Sequence, residues 1–371
     1  MKKLRIAQVA PLYESVPPKL YGGTERIVSY LTEELVRQGH EVTLFASGDS
    51  VTRARLVAPC PRSLRLDPDC VDSLAHHLVL IEEVFRRAAD FDVVHFHVDY
   101  LHFPVSRRLP VPQVTTLHGR LDIPDLVPLH REYQGMPVTS ISDSQRAPLP
   151  WLNWRGTVHH GLPADLHRGV DEPEAYLAFL GRVSPEKGLD RAIEIARRAG
   201  LPLRIAAKVD KADLAYYEEV IEPLLAQRHV DFVGEIGETE KQSFLGNAQA
   251  VLFPINWPEP FGLVMIEAMA CGTPVIAFRH GSVPEVLDEG ETGFAVSTIE
   301  EAVEAVGRLD EISRPGCRAA FERRFTAQRM AEEYVQIYRR QMEGESHGRE
   351  DHADPADPGA VLHPGHQLAP R

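Results

Sequence analysis

AVLFPINWPEPFGLVMIEAMACGTPVIAFR, residues 250–279, is the stretch on which the fold turns. AVLFPI (250–255) is a continuous apolar run of strand length. Residues 256–262 carry Pro258, Pro260 and Gly262 and read as a loop. From Leu263 to about Cys271 the chain is apolar nearly all round, the pattern of a helix buried on every side. Gly272 and Pro274 close that helix, and PVIAFR (274–279) is a second apolar run. Strand, buried helix and strand in this order form one parallel β-α-β unit.

The same alternation extends in both directions. Upstream in this half stand AYLAFLG (175–181), a helix at 189–200 ending at Gly200, and LPLRIAAKV (201–209). A helix near 213–228, HVDFVGEI (229–236) and a helix near 239–247 follow; GFAV (293–296) and a helix at 299–309 lie downstream. The first half reads LRIAQVA (4–10), an amphipathic helix at 24–39, EVTLFAS (41–47), a helical stretch at 71–89, DVVHFH (92–97) and QVTTLHG (113–119). The fold class is therefore α/β, with two separate parallel sheets joined through the polar stretch 161–174. The boundaries this sets are 1–165, 166–325, a last helix at 326–342, and a tail at 343–371. The tail is rich in Pro, Gly, His and Asp and reads as disordered, its histidines (347, 352, 363 and 366) solvated rather than metal-binding.

Length agrees with two domains, because 371 residues exceed one ordinary core. No run approaches the ~20 apolar residues of a membrane span. The apolar run in MKKLRIAQVAPLY is short and fits a first buried strand better than a signal peptide, so cytoplasmic residence is expected. A net charge of −14 argues against nucleic acid or anionic membrane as a generic partner. It also argues mildly against a membrane-bound acceptor. Cys60, Cys70, Cys271 and Cys317 form no C-x-x-C pair and read as reduced structural thiols.

Three segments carry chemistry. In the first, Gly262 opens the buried helix at the end of a strand, where free N–H groups and about half a positive charge suit phosphate. Glu259 precedes that terminus, and Glu267 carries a charge into apolar surroundings. Either ligand hydroxyls or an Arg or Lys would satisfy Glu267. In the second, FLGRVSPEKGLDRAI (179–193), Arg182 and Lys187 flank a turn, as a diphosphate clamp or as solvated cations. In the third, His118 of Thr116-Leu117-His118-Gly119 stands at a strand's C-terminal edge, facing the crevice or serving structure. The loop 11–23 is long and ends in Gly22-Gly23, where backbone can approach a ligand. His95-x-His97 lacks an evident third ligand for a metal site. Asp67-x-Asp69 and Asp90-x-Asp92 read as a loop and a solvated strand entry, and no G-x-G-x-x-G follows the first strand.

Together these segments resemble the retaining glycosyltransferases of family 4, over roughly residues 4–340. The hallmark is Glu, seven residues, Glu: here Glu259-PFGLVMI-Glu267. CGTPVIA (271–277), GSVPEV (281–286), GETGFAV (290–296), Gly22-Gly23-Thr24-Glu25, the Thr116–Gly119 turn and GRVSPEKG (181–188) add to it. The likeness is nearest to bacterial members of the natural-product and polysaccharide kind. It implies the GT-B fold: two Rossmann-like, doubly wound domains facing a cleft, with the helix 326–342 crossing back to the first. It implies that Glu267 binds the donor's ribose. Glu259 would contact the transferred sugar with the N–H groups of Phe261, Gly262 and Leu263. Arg182 and Lys187 would hold the diphosphate, Gly22 and Gly23 would approach it, and His118 would sit by sugar and acceptor. No metal and no separate cofactor is implied; the donor would be a UDP- or GDP-linked sugar.

Two departures stand out. His159-His160-Gly161 replaces a usual Asn-Gly, and Ala207-Lys208 stands where a Gly commonly ends a strand, making Lys208 a third cation or a surface residue. The acceptor, whether sugar, glycolipid or natural product, is not encoded in any motif. An epimerase or hydrolase on the same scaffold, and a silent nucleotide-sugar-binding protein, are the competing readings.

Overall fold

The computed structural model describes residues 2–65, 67–108 and 110–344. From residue 345 on, the expectations for the tail and its histidines fall outside the described residues. The first sheet comprises β1 (Arg5–Val9), β2 (Glu41–Phe45), β3 (Arg55–Val57), β4 (Val93–Phe96), β5 (Gln113–Thr116), β6 (Val138–Ser140) and β7 (Trp154–Thr157). Its order is β3-β2-β1-β4-β5-β6-β7. The second comprises β8 (Leu177–Val183), β9 (Leu203–Val209), β10 (Val230–Gly234), β11 (Ala250–Phe253), β12 (Val275–Phe278) and β13 (Gly293–Val296), in the order β10-β9-β8-β11-β12-β13. Adjacent strands run parallel throughout. Strand order reverses between β1 and β4 and between β8 and β11. In doubly wound sheets the crevice at such a reversal, at the strands' C-terminal ends, receives ligands.

Several elements differ from expectation. β3, β6 and β7, three or four residues long, and the helix Arg314–Arg324 were not anticipated. The helix expected near 213–228 is a series of short turns, Lys211–Asp213, Leu214–Tyr216, the π-helical Tyr217–Ile221 and Glu222–Leu225. Pro223, which lacks an N–H, sits within it. β8 runs on to Val183, so Gly181 and Arg182 lie in the strand rather than in the turn after it.

Strand alternation gives the first sheet two different faces. Ala7, Val9, Val94 and Phe96 pack on one side with Leu80 and Val84 of the helix Ser73–Arg86. Ile6, Val93 and Val114 face the other, with Ile27, Leu31 and Leu35 of the helix Gly23–Arg37. The helix Ala327–Met342 covers that second face, placing Tyr334 and Tyr338 against it. Among the described residues, no helix is long and apolar enough to cross a membrane.

The chain crosses between the domains twice, and the crossings are tied together. Leu162 N donates to Phe325 O at 2.9 Å and Ala327 N to Leu162 O at 2.7 Å. Arg329 Nη2 donates to the carbonyls of His159 (2.8 Å) and His160 (2.9 Å). At Gly161 the backbones touch: a Cβ there would lie 2.2 Å from Thr326 O.

Two outcomes follow from this packing. Gly161→Ala forces two backbones apart and destabilises the protein by about 1–3 kcal/mol. Gly135→Ala, with nothing within 4 Å of the added carbon, is close to neutral; urea titration compares the two. The first domain also buries imidazoles, and desolvation pushes His95, His97, His102 and His160 well below the usual value. The unfolded chain takes up these protons from about pH 6.5 downward, while the folded protein does not. The stability they allow is present above that pH and is lost as pH falls through it. Glu14, Glu25 and Asp99, raised by desolvation, pull the other way but are outnumbered by the lowered histidines. Thermal midpoints measured from pH 7.5 to 5 therefore fall with pH.

Candidate active site

A cleft of about 490 Å³ lies between the C-terminal ends of the two sheets. Every residue to which the family resemblance gives a role lines it. Gly22, Gly23 and His118 come from the first domain, and Arg182, Lys187, Glu259, Phe261, Gly262, Leu263 and Glu267 from the second.

The helix Leu263–Ala270, N-capped by Gly262, is buried from Val264 to Ala270. The N–H groups of its first two residues, Leu263 and Val264, have no partner inside the helix, and both residues line the cleft. Glu267 is 3% exposed. Of the two kinds of partner weighed for it, the protein supplies a lysine: Lys241 Nζ is 2.6 Å from Glu267 Oε1. Burial alone would raise this carboxyl, but Lys241, Arg26 and His167 outweigh it and hold it below the usual range. Lys241 also lies 3.4 Å from Glu238, which pairs with Arg26 on the first domain's helix Gly23–Arg37. Tyr21 N donates to Glu235 Oε1 at 3.2 Å, and Asp143 N and Ser144 N donate to Glu285 at 2.7 and 2.6 Å. The domains thus meet through the Arg26–Glu238 ion pair beside the cleft and through backbone N–H groups that donate to Glu235 and Glu285.

Glu259 sits on the loop between β11 and the buried helix. GSVPEV (281–286) is the bed under that loop. Ser282 N donates to Glu259 O at 3.0 Å, and Ser282 Oγ to Phe261 O at 2.8 Å. Gly281, at φ +56°, approaches so closely that a Cβ would lie 2.3 Å from Glu259 N. The Glu259 carboxylate is ion-paired with Lys187 Nζ, their side chains 12% and 16% exposed. Lys187 stands 5.1 Å over the Trp257 ring, and Arg120 of the first domain 5.7 Å over the same ring.

Arg182 carries three acidic neighbours: Glu186 at 2.5 Å, Asp213 at 3.7 Å and Asp210 at 3.9 Å. Lys208 lines the cleft, 2.9 Å from Asp210. His118 Nε2 lies 2.9 Å from His97 Nδ1, and its ring stacks at 5.4 Å on His160. Desolvation pushes His118 down to about 3, so it is uncharged near neutral pH.

The demoted motifs find ordinary partners. His95 and His97 bond to Tyr338, Thr116, Gln8 and His118; Asp67 pairs with Arg62 and Asp92 with Arg5. Among the described residues, no group of three or more His, Cys, Asp or Glu could hold a metal. All four cysteines are free thiols. Sequence reasoning missed Arg26, Glu238, Lys241, Trp257 and Asp99. Lys241 and Glu238 lie on a polar helix that reads as surface. Asp99 has the one positive φ (+48°) of any non-glycine among the described residues, and it lies in the cleft just past β4. No local sequence pattern marks that backbone angle.

Two family models match: Glycosyltransferase Family 4 over residues 21–159, and Glycosyl transferases group 1 over residues 167–316. Glycogen synthase of Mycobacterium tuberculosis is 27% identical, over 92% of this chain and 96% of its own. Among solved structures, AviGT4, a glycosyltransferase involved in avilamycin A biosynthesis, is 26% identical with a TM-score of 0.71, over 92% of this chain and 99% of its own. Anabaena Alr3699/HepE in complex with UDP-glucose is 17% identical with a TM-score of 0.67, over 90% of this chain and 98% of its own, a likeness of fold. With two doubly wound sheets, a helix crossing back to the first and both family models matched, the chain belongs to the family 4-like glycosyltransferases of the GT-B fold.

Proposed function

We propose that the chain transfers a hexose from a UDP- or GDP-linked sugar to an acceptor hydroxyl, with retention of configuration and without a metal ion. The observation that carries this is the Lys187–Glu259 ion pair beside the free N–H groups of a buried helix terminus. A cation and a dipole end suit a diphosphate, and a carboxylate suits sugar hydroxyls. A fold of the same kind is solved with UDP-glucose in HepE, which supports the donor class.

In this reading Arg182 and Lys187 receive the charge that develops on the leaving diphosphate, the part a metal plays elsewhere. Lys208 adds a third cation at the same mouth. Releasing Arg182 from Glu186, Asp210 and Asp213, and Lys187 from Glu259, frees donors for phosphate oxygens. Glu259, backed by the N–H groups of Phe261, Gly262 and Leu263, takes the hexose hydroxyls. Glu267 takes the ribose hydroxyls and keeps its charge through Lys241. Gly22 and Gly23 bring backbone toward the diphosphate from the opposite wall. The acceptor enters past His118, on the side from which the diphosphate leaves, in a cleft whose closure excludes water.

A thermal-shift screen of nucleoside-diphosphate sugars identifies the donor, since a ligand bound only to the folded state raises the midpoint. With that donor, Lys187→Ala and Arg182→Ala each lower turnover by at least about 10²-fold. Glu267→Gln weakens binding of the nucleoside diphosphate itself by about tenfold. Full transfer by a Glu259→Ala, Arg182→Ala double variant that still binds donor refutes the reading. Epimerised sugar formed from donor alone assigns the scaffold to different chemistry.

A further inference from the structure

The second face of the first sheet is odd for a surface sealed by a helix. Gln8 of β1, His95 of β4, His97 just beyond it and Thr116 of β5 all lie on it, and all are buried. Polar groups so placed must pair with one another or with the covering helix. They do both. Tyr338 and Tyr334 of the helix Ala327–Met342 lower their hydroxyls onto the sheet, and a hydrogen-bond chain runs from there to the cleft.

The chain has a direction. Gln8 Nε2 donates to Tyr338 OH at 3.0 Å. Tyr338 OH then donates to His95 Nδ1 at 2.7 Å, and His95 Nε2–H to Thr116 Oγ1 at 2.7 Å. Thr116 passes its proton toward Thr139 Oγ1 at 2.8 Å, and Thr139 donates to Thr115 O at 3.4 Å. On the other side Gln8 offers Oε1, an acceptor only, to His97 Nε2 at 2.8 Å. His97 must therefore carry its proton on Nε2 and accept at Nδ1. The atom 2.9 Å from that Nδ1 is His118 Nε2, which must donate. His118 Nδ1 has no hydrogen-bond partner among the described residues and is absent from the fully buried unpaired atoms, so it meets the cleft.

We infer that Tyr338, Gln8 and His97 are positioning residues: they hold His118 as its Nε2–H tautomer, with the Nδ1 lone pair presented to a hydroxyl of the sugar substrate. The crossover helix thereby sets the hydrogen-bonding sense of a residue at the cleft that it does not touch. His118 accepts from a substrate hydroxyl; it neither donates to an oxygen nor supplies positive charge. The identity of that hydroxyl rests on the proposed function. The tautomer does not, and the experiment reads it without substrate.

Long-range 15N–1H correlation spectra of the full chain at pH 7.5 distinguish the protonated from the bare nitrogen of each imidazole, and His118→Gln identifies the His118 signals. In the unmodified protein His118 shows a protonated Nε2 and a bare Nδ1. A protonated Nδ1, the result if the Gln8 amide is reversed, overturns the inference. In Tyr338→Phe, either orientation of the Gln8 amide leaves one group unpaired, so the bias is lost. The His118 nitrogens then move toward averaged shifts, and turnover falls about tenfold, the scale of one directed hydrogen bond. Tyr334→Phe removes a comparable buried hydroxyl, bonded to Thr116 at 2.9 Å, without touching the Gln8–His97 arm. It leaves the His118 pattern unchanged. Equal effects of the two substitutions on that pattern, or none from Tyr338→Phe, overturn the positioning role. Titration of UDP-glucose into the unmodified protein shifts His118 Nδ1 in the direction of accepting a hydrogen bond. A shift confined to Nε2 contradicts the assignment of the accepting atom.

Discussion

A carboxylate on a helix buried nearly all round has to be neutralised from outside the helix. Glu267 is that group, and its neutralisation organises the cleft. Lys241 reaches it from a neighbouring helix of the same domain. Glu238, one turn away, shares Lys241 and passes the pairing to Arg26 of the first domain. A charge forced on one helix is thus balanced by residues of two other helices, one in each domain. Removing one partner from such a buried set costs more than the pair contributes, because the remaining charge has nowhere to go. The same electrostatics hold the second domain against the helix that Gly22 caps.

The second constraint is mechanical. Two chain crossings, near Leu162 and near Phe325–Ala327, are hydrogen-bonded to each other and pinned by Arg329. The helix Ala327–Met342 belongs by sequence to the end of the second half, and by packing to the first. Its tyrosines replace solvent for polar residues on the first sheet. That face of the first sheet is therefore finished by the helix Ala327–Met342, and the order of the sheet's buried polar groups depends on it.

Glu259 and Lys187 illustrate how far motifs carry. The spacing from Glu259 to Glu267 puts one carboxylate in the loop before a helix and the other one turn inside, and only a buried terminus explains the apolar residues between. What the spacing does not contain is the bed of Gly281 and Ser282 beneath Glu259, which comes from a later turn. Nor does it contain the acids around Arg182, of which Asp210 and Asp213 lie beyond the end of the next strand. Asp99 was overlooked because its significance is a backbone angle at the mouth of the cleft, and one residue type after a strand does not announce an angle.

The alternation of apolar runs with helical patterns determined by itself that there are two parallel α/β units, since strands buried on both faces are apolar along most of their length. It also determined the place of the buried helix terminus, because Gly262 and an octet apolar but for Glu267 admit few other readings. β3 and β7 escaped it as edge strands, only partly buried and so under no demand for an apolar run, and β6 as a three-residue strand with one apolar side chain. Only the tertiary structure decided which charges meet. Arg26 and Glu238 are 212 residues apart, and Gln8 and Tyr338 are 330 apart. Pairing at such separations follows from how two sheets and a returning helix pack, and no local pattern in the chain records it.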